Sequence, residues 1–163
     1  MIAENKKMIL IVDDEEDLRD GMSFQFKNRG YDVVAALDGL EALEKLKTIK
    51  PDLIIVDLNM PRMNGLEFCE KISDGNGRFL HPVIVLTTQA NTKRYFLQFE
   101  VEAFFYKPFE VDDLIMEAER IIEKTKKHEK TMDIREKYLR EYKLLAKKKK
   151  KPAAKQNVSQ DLQ

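Results

Sequence analysis

The sequence predicts an α/β fold: a doubly wound, five-stranded parallel sheet in the order 2-1-3-4-5, with helices on both faces and a C-terminal helical, basic extension. Three observations lead there. Five short apolar runs alternate with stretches of helical spacing, and strands that alternate with helices join by right-handed crossovers, which makes the sheet parallel. The first, third and fourth runs are apolar at every position rather than at every second one, as strands covered on both faces are. Polar residues capable of chemistry recur where the first, third, fourth and fifth runs stop, and the carboxyl edge of an open parallel sheet is where such folds bind ligands.

Taken in order, Met8-Ile-Leu-Ile-Val12 is the first strand, and it breaks abruptly into Asp13-Asp-Glu-Glu-Asp17. Leu18, Met22 and Phe26 then repeat at helical spacing up to Asn28. Acids favour a helix start, but capping uses one or two, so five in a row exceed what this start needs. Gly30 ends the helix, and Tyr31 to Ala36 forms the second strand. Asp38-Gly39 turns into a helix carrying Leu40, Leu43 and Leu46 that stops before Pro51. Leu53 to Val56 is the third strand and ends at Asp57, followed by the loop formers Asn59, Pro61, Asn64 and Gly65. Leu66 to Ile72 is helical and closes at Asp74-Gly-Asn-Gly77; Pro82 to Leu86 is the fourth strand and ends in Thr87-Thr88. A short helix from about Thr92 to Phe99 leads to the fifth strand, Ala103 to Tyr106, then Lys107-Pro108-Phe109 and a helix beginning near Glu110.

The formal net charge of zero conceals a division: residues 1–122 carry −8 and residues 123–163 carry +8. This asymmetry separates a folded domain, 1–122, from a helical extension, 123–148, and a lysine-rich tail, 149–163, expected to be disordered. Neither Gly nor Pro interrupts Phe109 to Lys151, and Glu123/Lys127, Asp133/Lys137 and Glu136/Arg140 place acids four residues ahead of bases, which supports a helix running unbroken from Glu110 to Lys148. Leu114, Ala118 and Ile121 begin a 3-4 stripe that Thr125, His128 and Arg135 interrupt, while Ile134, Tyr138, Tyr142 and Leu145 form a compact apolar patch suited to a partner or a second copy of the chain. The run Lys147 to Lys151 offers counterion release but no base readout, so nucleic acid is not the expected partner.

No apolar run approaches the roughly 20 residues of a membrane span, and the N-terminal stretch lacks the apolar region of a signal peptide, so a soluble, cytoplasmic chain is expected. The single cysteine, Cys69, forms no internal disulfide and falls in a helix, where it reads as a structural thiol. His81 and His128 have no metal-ligand spacing.

In the predicted order the switch point lies between strands 1 and 3, so Asp13, Asp14, Asp57, Thr87 and Lys107 converge on one crevice. Carboxylates so gathered repel; a like-charge pair at 4 Å costs about 4 kcal/mol at an effective dielectric of 20. A hard divalent cation removes that penalty, and Mg²⁺ suits it because it takes one or two carboxylates and keeps positions for water and phosphoryl oxygens. A lysine and a threonine hydroxyl opposite the acids would neutralise and orient the remaining oxygens. Phosphoryl transfer onto a carboxylate follows naturally, since that nucleophile needs no base at neutral pH.

The stretches ILIVDDEED, PDLIIVDLNMPRMNG, PVIVLTTQ and FFYKPF, spread over residues 8–109, strongly resemble the receiver domain of two-component response regulators, particularly the stand-alone chemotaxis type, and the last helix extends the likeness to about Ile122. The resemblance implies the flavodoxin-like fold and a phosphoacceptor, Asp57, loaded by a histidine kinase or a phosphotransfer protein. It implies Mg²⁺ bound by Asp14 and Asp57, by Asp13 mainly through water and by the backbone carbonyl of Asn59. Thr87 and Lys107 would contact phosphoryl oxygens, and Phe104 would take the place of the family's aromatic switch.

Three departures stand out. Thr88 replaces the small residue that usually follows the active-site threonine, which would narrow access to an acyl phosphate; Glu100-Val101 replaces the family's Gly-Ala; and the span from Thr87 to Lys107 is slightly short. A shortened or irregular fourth helix is therefore expected. The output is expected to be protein interaction, by a regulator that catalyses only its own phosphorylation and dephosphorylation. A phosphorelay intermediate that passes its phosphate to another histidine, and a transcription regulator acting through the basic tail, stand as alternatives. A phosphatase of the haloacid-dehalogenase type would want a second Asp where this chain has Asn59.

Overall fold

Alternation along β1 (Met8–Val12) sets the layers: Ile9 and Ile11 enter one core, Leu10 and Val12 the other. The computed structural model describes residues 6–149, the side chains of 137, 138 and 140–149 excepted. β3 (Leu53–Asp57) and β4 (Val83–Thr87) repeat the division and are buried at every position. With β2 (Asp32–Ala36) and β5 (Ala103–Tyr106) they form a parallel sheet in the order β2-β1-β3-β4-β5. The predicted sheet and its order are thus observed.

One face is covered by α1 (Glu16–Asn28), through Met22 and Phe26, and by the first turns of α4 (Val111–Lys149), through Leu114, Ile115, Ala118, Ile121 and Ile122. The other face takes α2 (Gly39–Leu46) and α3 (Gly65–Ile72), with Ala42, Phe68 and Cys69 at the centre. A buried side chain of this size contributes about 1.5–3 kcal/mol, so these faces hold the sheet edge rigid under the site. Cys69 is fully buried, and burial pushes its thiol up to about 12, which keeps it protonated and inert.

Local chemistry fixes the loops. Asn64 and Glu67 form a reciprocal capping box at the start of α3, with N–H···O distances of 2.9 and 3.0 Å. Gly65 is required there, because a Cβ would lie 2.4 Å from the Asp57 carbonyl oxygen. The return of the chain at Gly65 therefore packs α3 directly against the end of β3.

The fourth crossover contains no α-helix. Where the sequence suggested a helix from Thr92 to Phe99, the chain makes only a 3-10 segment, Thr92–Phe96, as the shortened span implied. Asn91 gives it no side-chain cap, and Gly77, at φ 76°, lies so close to the carbonyl of Gln98 that the stretch beyond Leu97 is held against the α3–β4 loop. Phe96 is the anchor, 3% exposed.

By its contacts the chain divides into two units, Met1–Lys124 and Thr125–Gln163. In the second unit the helix runs to Lys149, and Met132, Ile134 and Leu139 are exposed. The side chains of Tyr138, Tyr142 and Leu145 lie outside those described, as do residues 150–163 and with them most of the lysine-rich tail. Among the described residues no helix is long and apolar enough to cross a membrane.

Candidate functional site

Asp13, Asp14, Asp57, Asn59, Thr87 and Lys107 stand at or just beyond the carboxyl edge of the sheet, whereas Phe104 lies within β5, paired with Val85. Asp13 follows β1 and extends its ladder, its N–H donating to the Ala36 carbonyl at 3.1 Å, and its side chain accepts from the Glu15 N–H at 2.9 Å. Asp57 is the last residue of β3, paired with Leu86, and Thr87 is the last of β4, paired with Tyr106. Lys107 follows β5, its backbone N–H donating to the Thr87 carbonyl at 2.8 Å and its peptide bond to Pro108 cis.

Three carboxylates meet here. Asp13, Asp14 and Asp57 each bring an oxygen to within 4.8 Å of the others; Asp13 and Asp57 are buried and Asp14 is exposed. The Lys107 ammonium lies 2.9 Å from Asp13, 3.2 Å from Asp57 and 2.8 Å from Glu15. Lys107 thus faces three acids, with Asp14 a fourth beside Asp13 and Asp57. The donor set is hard oxygen, and its surplus negative charge fits a divalent cation, which Asp13, Asp14 and Asp57 would hold. No comparable group of metal-ligating side chains occurs elsewhere among the described residues.

Electrostatics follow from burial. Loss of water, with the neighbouring charge of Asp13, raises the Asp57 carboxyl to about 6, Lys107 pulling the other way. Burial also raises Asp13, against its bonds to Lys107 and the Glu15 amide. Burial works against the Lys107 charge, but Glu15, Asp13 and Asp57 outweigh it and hold the ammonium well above the ordinary lysine range.

Around this centre, Thr87 is fully buried, its hydroxyl 2.9 Å from that of Thr92. Asn59 donates its side-chain amide to the Thr88 hydroxyl at 3.3 Å, which ties the loop after β3 to the loop after β4. Phe104 is half-buried and packs edge-on against Phe96, ring centres 5.6 Å apart, with the Lys93 ammonium 5.7 Å from its centroid.

Sequence reasoning missed three residues. Glu15 joins Lys107, and the five-acid run was its signal. Thr92 joins Thr87 and had no signal beyond being a polar residue at the start of a supposed helix. Arg62, at φ 64°, pairs with the buried Asp38 through both Nε and Nη2, linking the loop after β3 to the start of α2.

Fold and site together define a flavodoxin-like α/β protein with an acidic, metal-competent crevice at its topological switch point. Residues 9–119 match the response regulator receiver domain family, and the chain belongs to it, as a receiver domain of two-component systems. It is 39% identical over 107 residues, 64% of this chain and 43% of the relative, to the alkaline phosphatase synthesis transcriptional regulatory protein PhoP of Bacillus subtilis. Chemotaxis response regulator CheY4 of Vibrio cholerae is similar in structure, with a TM-score of 0.65 and 31% identity over 72% of this chain and 99% of that one. Response regulator TrrA of Thermotoga maritima, solved with Mg(2+)-BeF, gives a TM-score of 0.60 and 28% identity, covering 71% of this chain and 98% of that one. The chain spans about half the length of the curated relatives it matches.

Proposed function

We propose that this protein is a phosphorylation-controlled signalling module in which Asp57 accepts a phosphoryl group from a phosphohistidine of a kinase or phosphotransfer protein. One observation carries the reading: a carboxyl raised to about 6 lies 3.2 Å from a lysine ammonium in an acidic crevice. At neutral pH such a carboxylate is mostly ionised and needs no base to act as a nucleophile.

In the transfer, an Asp57 oxygen forms a bond to phosphorus as the donor's N–P bond breaks, and the imidazole leaves with that electron pair, its other nitrogen already protonated. Lys107 neutralises charge on the phosphoryl oxygens, and Thr87 donates its hydroxyl to one of them. Asp13, Asp14, Asp57 and the Asn59 carbonyl would hold Mg²⁺, which when bound supplies further positive charge for those oxygens. Asp57 and its neighbours do no chemistry on a foreign substrate in this reading. The output is contact with another protein, with Phe104 as the ring that reports the state of Thr87.

Incubation with Mg²⁺ and phosphoramidate, followed by intact mass, tests the assignment. Wild type gains one phosphoryl group and Asp57→Ala gains none; a gain that persists in Asp57→Ala refutes it.

A further inference from the structure

Resting on the phosphoacceptor reading, we infer that Thr92 is a positioning residue that holds the Thr87 hydroxyl in a closed hydrogen-bond ring, out of reach of a phosphoryl group until that ring opens. The proton assignments follow from the partners. Thr92 Oγ1 lies 2.7 Å from the Gln89 carbonyl oxygen, which can only accept, so the one hydroxyl hydrogen of Thr92 points there. At the 2.9 Å contact between the two hydroxyls, Thr87 must then be the donor. The Gln89 N–H, 3.0 Å away, donates to Thr87 Oγ1 and fills a lone pair. Thr87, Gln89 and Thr92 close a ring in which each hydroxyl hydrogen is committed.

Phosphoryl oxygens accept hydrogen bonds and donate none at the dianion, so Thr87 serves one only by withdrawing its hydrogen from Thr92. Both threonines are fully buried, so neither hydroxyl faces bulk solvent. The exchange is favourable in direction: a neutral bond is given up for a charge-assisted one, roughly twice as strong. Thr92 thus sets a threshold that phosphoryl binding must exceed. It does so through Thr87 and touches no reacting atom.

Removing the hydroxyl acceptor therefore tightens binding while weakening the fold, a combination that loss of a merely structural contact does not produce. The probe is beryllofluoride in saturating Mg²⁺, titrated against the full chain alongside thermal unfolding of the free protein. Thr92→Val is expected to bind about fivefold tighter than wild type, the factor one neutral hydrogen bond is worth, with a lower Tm. Thr92→Ser, which keeps the hydroxyl, is expected to bind like wild type. In a Thr87→Ala background, Thr92→Val is expected to leave beryllofluoride binding unchanged. Thr92→Ala supplies a second hydroxyl-free variant should the valine disturb the fold. Unchanged or weaker binding in the hydroxyl-free variants, or equal tightening without Thr87, overturns the ring as a threshold. Wild type that binds no beryllofluoride overturns the phosphoacceptor reading itself, and the threshold with it.

Discussion

Glu15 holds the Lys107 ammonium at 2.8 Å, closer than Asp57 does at 3.2 Å. Asp13 and Glu15 each accept a hydrogen from this ammonium and Asp57 faces it as an ion pair, so a phosphoryl oxygen that approaches Lys107 competes with these acids. Glu15, with its side chain 62% exposed, is the partner that leaves most easily, because water takes its place.

The Glu15→Gln variant should accordingly load faster. An exposed ion pair is worth about 0–1 kcal/mol, so the phosphorylation rate at saturating Mg²⁺ should rise by no more than about fivefold, and the gain should shrink as salt is added. Stopped-flow phosphorylation by phosphoramidate at two ionic strengths measures it. A slower Glu15→Gln would mean that Glu15 assists the transfer instead of competing for Lys107.

Asp57 should destabilise the metal-free fold at neutral pH. Its carboxyl is raised to about 6 in the folded chain against 3.8 when unfolded, so between those values the folded state binds the extra proton. The group's stabilising contribution is complete below about pH 4 and is lost as pH rises through 6. Above pH 7 the buried charge is left with a penalty on the order of 2–3 kcal/mol. Urea unfolding in EDTA should therefore find Asp57→Asn more stable than wild type at pH 7.5, with the difference falling towards zero by about pH 4. Mg²⁺ should narrow the difference at pH 7.5 by stabilising wild type more than the variant, which keeps only Asp13 and Asp14 of the three carboxylates. An Asp57→Asn effect independent of pH would place the source elsewhere.

What the sequence made legible depended on covalent neighbourhood. Asp57 and Thr87 end apolar runs, and the sheet order alone carries strand ends to one edge, so the main site residues could be placed without coordinates. Glu15 was half legible: the acidic run was in excess, but only the return of Lys107 from the end of β5 says which acid it meets. Thr92 and Arg62 were not legible, because their partners depend on loop geometry, a 3-10 turn in one case and a positive φ in the other. The length of the fourth crossover predicts a shortened helix and its spacing places that helix over Thr92 to Phe99; the close approach of Gly77 to Gln98 that fixes its actual course is a contact between distant segments.

Arg62 should matter more for stability than an exposed arginine ordinarily does. Its partner Asp38 is completely buried and also caps α2, accepting the Glu41 N–H at 2.9 Å. Against the cost of its own burial, that cap bond and the Arg62 guanidinium hold the Asp38 carboxyl below the usual range. Arg62→Ala leaves the buried carboxylate with less compensation and should cost about 1–2 kcal/mol in urea unfolding at pH 7. Because Asp38 is depressed, the stability it contributes is present above about pH 4 and fades as pH falls, so the Arg62→Ala deficit should fade with it. A deficit that grows on acidification would show that Arg62 acts through another group.

Thr88 should govern how long Asp57 keeps a phosphoryl group. Its hydroxyl accepts the Asn59 amide at 3.3 Å, so a polar bridge joins the loops after β3 and β4, the two strands whose last residues are Asp57 and Thr87. A bond of that length between exposed groups is weak, worth under about 1 kcal/mol, so it slows passage without blocking it. Thr88→Ala removes both the bridge and the methyl group, and should speed loading and hydrolysis together by up to about fivefold. Thr88→Val keeps the bulk and loses only the bridge, so it separates the two contributions: hydrolysis as fast as in Thr88→Ala assigns the control to the hydrogen bond, and hydrolysis as slow as in wild type assigns it to steric bulk. Timed acid quench and intact mass after removal of phosphoramidate give the rates. Unchanged lifetimes in both variants would release Thr88 from any part in the reaction and leave water access to be set deeper in the crevice.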